Sequence, residues 1–301
     1  MTNRSAKSPK RMQIQKAVIT AAAPNQNRLP LQQLVDRDGR EKTALQLILE
    51  ETIAAGIDEI CVIIQPGDTD AYQAAAGTQM GNLHFIEQPE PLGYADAVYR
   101  ARSFVDGQPF LHLVGDHLYL SNTNIPCAKQ LVEMANEHQC SVSAVQSTRE
   151  NNLPYFGIVS GSLVPRTDGL YQVDQVVEKP TPTYAEQELV TPGLRAGHYL
   201  GFFGMHVFTD DIMQLIGQLM ETKATAQPTL SDAVAMLPSR GKYLAYRLEG
   251  TRHNLGIRYG LLKAQLAIGL SGQDRDTILV ELIDLLANRP NTNGSDTGAT
   301  L

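Results

Sequence analysis

A chain of 301 residues with 43% hydrophobic and 19% charged residues can bury a real core, as one large or two modest domains. Its formal net charge of −7 argues against a nucleic-acid-binding surface, although a local basic pocket stays open. No apolar run approaches the roughly 20 residues needed to span a bilayer, and the basic stretch Met1–Arg11 lacks the apolar segment of a secretory signal.

In chain order, residues 1–13 read as a flexible tail and Ala17–Ala22 as an apolar strand. Thr43–Ala55 has helical spacing through Leu45, Ile48, Leu49 and Ile53, with Gly56 as its stop. Glu59–Ile64 is a second strand, Tyr72–Ala76 a short helix, Leu83–Glu87 a strand, Tyr94–Phe104 a helix and Leu111–Val114 a strand. Cys127–Glu137 follows as a helix and Ser141–Gln146 as a strand. This βαβ rhythm predicts an α/β fold, a doubly wound and mainly parallel sheet. The second half changes character. Phe156–Ser160, Val173–Val177, Tyr199–Phe208 and Tyr243–Leu248 are strand-like, and Asp210–Met220, Leu230–Leu237, Tyr259–Ala267 and Asp276–Leu286 are helical. These elements are expected to form a smaller lobe facing a substrate, so that 14–287 make one continuous domain. The segment 288–301 is rich in Asn, Thr and Gly and reads as a disordered tail. Cys61, Cys127 and Cys140 are an odd set without metal-type spacing, which suits a reducing, cytoplasmic compartment, and Cys61 and Cys140, in strand-like stretches, read as buried thiols.

The run Leu111-His112-Leu113-Val114 ends in Gly115-Asp116, where a parallel strand would emerge. Ligands of open α/β sheets bind at such carboxyl ends, so Asp116 is a candidate for holding a divalent cation against phosphate oxygens, or else a turn-capping residue. After the first strand, Ala22 and Ala23 would let a nucleotide approach the backbone, and Arg28 could fork onto phosphate oxygens. This loop lacks glycine, and an ordinary strand-to-helix connection is the alternative. Gln88 ends a strand and carries both a donor and an acceptor, as reading a pyrimidine edge requires, and Gly93 opens the next helix. A simple turn is the competing explanation there. Glu178-Lys179 ends another strand, with Glu178 placed to accept from sugar hydroxyls and Lys179 to neutralise a phosphate, or else the two form an ordinary surface pair. Gly157 and Gly204, each beside aromatics, offer flat backbone for a sugar or simply mark bends.

The order of these motifs resembles the sugar-phosphate nucleotidylyltransferases, especially bacterial UTP–glucose-1-phosphate uridylyltransferases. The matching pieces are Lys16-Ala17-Val18-Ile19, Ala54–Ile60, Gln88–Ala97, Gly115-Asp116, Tyr155-Phe156-Gly157, Val177-Glu178-Lys179-Pro180, Gly204 with Val207-Phe208, and Leu230–Val234. The resemblance implies a Rossmann-like nucleotide-diphospho-sugar transferase fold and the joining of UTP to glucose 1-phosphate with release of pyrophosphate. Mg²⁺ would be the cofactor, and the partners would be the nucleoside triphosphate and the sugar phosphate, with no nucleic acid and no membrane. In that scheme Gln88 and Gly93 read the base, and Ala22 and Ala23 line the nucleotide. Asp116 holds Mg²⁺. Gly157, Glu178, Lys179 and Gly204 line the sugar phosphate. Arg28, Asp116 and Lys179 are the candidate catalytic groups.

Two departures stand out. The family's first loop carries Gly-x-Gly-Thr-Arg and then a Pro-Lys pair, whereas Ala23–Val35 is shorter and lacks those glycines. In addition, Asn254 in Arg252-His253-Asn254-Leu255-Gly256 takes the place of a second metal-binding Asp. Asp116 and Asn254 are therefore the candidate metal pair, with His117 and His253 beside them as structural or solvated residues. The departures keep open a non-catalytic, nucleotide-sugar-binding homologue. A glycosyltransferase is less favoured, because Asp116-His117-Leu118 lacks the second carboxylate of an Asp-x-Asp site. Homo-oligomerisation is an open expectation from the family.

Overall fold

The computed structural model describes residues 11–78, 82–222 and 228–288. Most of the two expected tails lies outside the described residues. The elements in chain order are β1 (Lys16–Thr20), β2 (Gln33–Val35), β3 (Glu41–Thr43), α1 (Ala44–Ala54), β4 (Glu59–Ile64), α2 (Thr69–Ala76), β5 (Asn82–Glu87), α3 (Tyr94–Arg100), α4 (Arg102–Val105), β6 (Phe110–Val114), β7 (His117–Ser121), α5 (Cys127–His138), β8 (Ser141–Arg149), β9 (Gly157–Leu163), β10 (Leu170–Glu178), α6 (Pro182–Glu188), β11 (His198–Phe208), α7 (Asp211–Thr222), α8 (Leu230–Ala235), α9 (Leu237–Arg240), β12 (Tyr243–Arg247), β13 (Gly250–Asn254), α10 (Gly260–Leu270) and α11 (Arg275–Ala287). A 3₁₀ segment, Glu150–Tyr155, links β8 to β9.

The nine-stranded sheet runs β5-β4-β1-β6-β11-β8-β12-β10-β9. Its first four strands are parallel. They are apolar runs because helices cover both faces, and Ala17, Val18 and Ile19 of β1 have no exposed surface. β11 is antiparallel to β6 and β8, and β10 is antiparallel to β12 and β9, so the far half is mixed. β11 also pairs with β9 through Leu200 and Gly201, which closes a ring of five strands. The α/β architecture with a second lobe is thus present, its parallel pairings being those of the first four strands and that of β8 with β12.

Local chemistry accounts for the element ends. Thr43 caps α1 in a capping box with Gln46, and Gly56 follows the helix at φ +84°. The expected single helix over Tyr94–Phe104 is two, because Ala101 leaves the helical conformation at ψ 0°. The expected helix Leu230–Leu237 likewise ends at Ala235, and a separate turn carries Pro238. Proline has no N–H, and its ring would crowd the carbonyl of Val234 if the helix continued. β7 and β13 are strands that the sequence pattern did not announce; they form their own antiparallel pair.

Candidate active site

The carboxyl ends of β1, β5 and β6 frame a cavity of about 350 Å³. Thr20, Ala21, Ala22 and Ala23 form one wall, Gln88, Gly93 and Tyr94 another, and Gly115, Asp116 and His117 a third. Gly115 is closely packed: a Cβ there would lie 3.0 Å from both Ala21 Cβ and Thr20 O, so glycine lets β6 turn against β1. Gly93 sits at φ +94°, ψ 180°, a conformation open only to glycine. Gln88 is buried, and its Nε2 donates to Gly93 O at 3.0 Å and Asp96 Oδ2 at 2.8 Å.

A second cavity of about 380 Å³ adjoins the first and shares Gly93, Tyr94, Val114 and His117 with it. Its walls include Gly157, Glu178, Lys179, Gly204, Ser231, Arg252 and Asn254. β9 and β10 place Gly157 directly opposite Glu178. A Cβ on Gly157 would meet Phe202 Cδ2 at 2.7 Å and Glu178 Oε2 at 3.0 Å. Glu178 Oε2 accepts from Ser231 Oγ at 2.6 Å, and Lys179 Nζ lies 3.5 Å from Glu178 Oε1. Gly204, at φ +80°, interrupts the register of β11 and offers its carbonyl to Tyr119 Oη at 2.8 Å.

Pairing of β7 with β13 brings Asp116 and Asn254 to one end of the cleft. His117 faces Asn254 in register, and Leu255 N donates to Asp116 O at 2.8 Å. Burial opposes ionisation of Asp116, but the His117 hydrogen bond, at 2.7 Å, and the Arg252 charge hold its carboxyl below the usual range. It is a carboxylate at neutral pH. Burial draws the Arg252 guanidinium down to about 10, so it stays cationic. Arg252 stacks over Phe156 at 3.8 Å from the ring centroid, donates through Nη1 to Phe202 O, and has Nη2 without a partner among the described residues.

The structure therefore gathers Ala22, Ala23, Gln88, Gly93 and Asp116 around one cavity, and Gly157, Glu178, Lys179, Gly204 and Asn254 around the next. Arg28 is apart: it is exposed and lines neither cavity. Without a family-type glycine loop, 24–31 fold as successive turns held by bonds such as Leu29 N to Gln26 O. His117 is not solvated; it is buried against Asp116. Tyr94, Ser231 and Arg252 went unassigned in the sequence. Their signal was position alone, since each lies inside a motif already singled out for another residue.

The Mg²⁺ site can be weighed from its donors. Among the described residues no three acidic, His or Cys side chains cluster as a metal site. Asp116 has Oδ2 beyond its His117 bond, and Asn254 Oδ1 accepts from Gly256 N at 2.7 Å, which leaves one lone pair. One carboxylate and one amide oxygen suit an ion that keeps waters and takes its remaining ligands from phosphates.

A family model described as nucleotidyl transferase matches residues 31–266. The chain belongs to the nucleotidyl transferase family. It is 27% identical to UTP–glucose-1-phosphate uridylyltransferase 2 of Streptococcus pyogenes serotype M3, over 90% of this chain and 96% of that protein. It is also 27% identical to the protein of the same name in Staphylococcus saprophyticus, over 91% and 98%. A UTP-bound UGPase from Acinetobacter baumannii superposes with a TM-score of 0.69 at 22% identity, covering 91% of this chain and 99% of that one. UDP-glucose pyrophosphorylase complexed with UDP-glucose gives 0.68 at 19%, covering 84% and 98%. Both share this fold.

Proposed function

We propose that this protein joins UTP to glucose 1-phosphate, forming UDP-glucose and releasing pyrophosphate. The observation that carries this reading is the pair of confluent cavities, one with Gln88 and the other with Glu178 and Lys179, meeting beside Asp116. The names of the uridylyltransferase relatives agree with it. The base enters the first cavity against Ala22, Ala23, Gln88 and Gly93. The sugar enters the second, where Glu178 accepts from hydroxyls and Lys179 meets the phosphate. The protein's work is alignment: it sets the sugar-phosphate oxygen in line with the α-phosphorus and supplies fixed charge. Arg252, held beside Asp116, adds a second cation at the junction. Mg²⁺, held by Asp116 and Asn254, would offset the triphosphate charge. Purified protein with both substrates and Mg²⁺ should release pyrophosphate, and Asp116→Ala should abolish the release. No pyrophosphate from any nucleotide and sugar-phosphate pair refutes the reading.

A second reading is favoured by one observation: among the described residues no Lys or Arg lines the first cavity, where the triphosphate would extend. A binding-only homologue would bind UDP-glucose in calorimetry and turn nothing over.

A further inference from the structure

We propose that Asp96, clamped by Arg100, is a positioning residue that makes Gln88 a fixed acceptor and so selects a base with an imino N–H, uracil over cytosine. The inference rests on the nucleotide reading of the first cavity. A glutamine amide is ambivalent by itself, since turning it by half a revolution exchanges donor and acceptor. Here both amide hydrogens are claimed. Nε2 donates to the Gly93 carbonyl at 3.0 Å and to Asp96 Oδ2 at 2.8 Å. A carbonyl can only accept, and so can a carboxylate in an ion pair, so the nitrogen cannot trade places with the oxygen. Asp96 is itself buried, and Arg100, one helical turn on, grips it through Nη2 at 2.9 Å and Nε at 3.2 Å. The Gln88 main chain is fixed too, its N–H donating to Ile64 O at 2.9 Å. Oε1 is the atom left for a ligand, and it can only accept.

Uracil and thymine offer N3–H to such an acceptor. Cytosine presents a lone pair at N3, and adenine a lone pair at N1. Two acceptors face to face, shielded from water, leave both unpaired, which weakens binding by about 10- to 100-fold. Ala97, Pro91 and Tyr94 along the same wall keep the first cavity largely apolar, so water cannot readily repair the mismatch.

Calorimetry on the full chain with UDP, CDP and N3-methyl-UDP tests this. Wild type is expected to bind UDP about tenfold or more tighter than either analogue. In Asp96→Asn, the new amide accepts from Arg100 and donates toward Gln88, which removes one of the two acceptors that fix the glutamine and leaves only the Gly93 carbonyl; the UDP-to-CDP ratio should fall partway toward one. Arg100→Met, which frees the carboxylate, should lower the ratio partway. A purely structural role would weaken both ligands in parallel and leave the ratio unchanged. An unchanged ratio in Asp96→Asn, or wild-type protein that binds CDP or N3-methyl-UDP as well as UDP, overturns the positioning role. If Asp96→Asn does not fold, Arg100→Met and the N3-methyl ligand decide. Failure of every nucleotide to bind removes the nucleotide reading and this inference with it, whereas UDP binding without selectivity removes this inference alone.

Discussion

Acid sensitivity of the fold should trace to His206. The ring is 4% exposed, stacks on Phe208 at 5.0 Å, and touches Ser143 Oγ through Nδ1 at 2.6 Å. The other titratable groups around it are His112, at 6.0 Å between ring centroids, and Tyr243, bonded to the same serine at 2.6 Å. Burial pulls His206 down to about 3. A depressed folded value means that the unfolded chain takes the proton first. The stability contributed by the neutral ring is therefore present above about pH 6.5 and is lost as pH falls toward 3. Between pH 7 and pH 5 the unfolded state gains about 0.7 of a proton here and the folded state almost none, a loss of about 2 kcal/mol. His112, also driven well below its ordinary value by burial and by His206, adds in the same direction. Urea unfolding at the two pH values measures the loss. His206→Phe keeps a ring against Phe208 and leaves Ser143 its bond to Tyr243, so its pH dependence should be shallower by about 2 kcal/mol. Equal slopes for wild type and variant would refute the argument, whatever their absolute stabilities.

Two further predictions concern the cleft and the thiols. Gly157→Ala would push a methyl group against Phe202 and Glu178, so the KM for the sugar phosphate should rise about tenfold or more with the KM for UTP little changed; steady-state kinetics with each substrate varied reads the difference, and equal effects on both substrates count against the sugar assignment. Cys61, Cys127 and Cys140 are buried, with thiols pushed up to about 12, 12 and 11, so the native protein should resist a thiol reagent at pH 8 and expose all three in urea; a fast-reacting native thiol would contradict that burial.

Much of the site could be read in the chain because its positions follow local rules. Asp116 ends an apolar run, and the ends of parallel strands share one edge of the sheet, so its neighbourhood with Gln88 and Ala22 follows from the βαβ alternation. Glu178 and Gly157 were chosen for their own chemistry and meet because they are register partners in β9 and β10. Arg28 shows the limit of that reasoning. A cation near the first strand looked fit for phosphate, but the turns over 24–31 carry its side chain out of the cleft. Arg252, in a polar segment with little strand character, is brought in instead by its pairing with Tyr119 across β7 and β13.

Periodicity and end signals alone determined the alternating α/β elements, the buried β1, the capped start of α1, and the strand ends that carry the acid, the glutamine and the lysine. These depend on residues within a few positions of one another, whose hydrophobic spacing and capping act locally. The tertiary structure alone decided that β7 finds β13, that Arg252 stands in the cleft while Arg28 does not, and that the Gln88 amide points one way. Each of those depends on hydrogen bonds and burial between groups whose contact is set by packing, and no local pattern in the chain encodes which partner a polar side chain will meet.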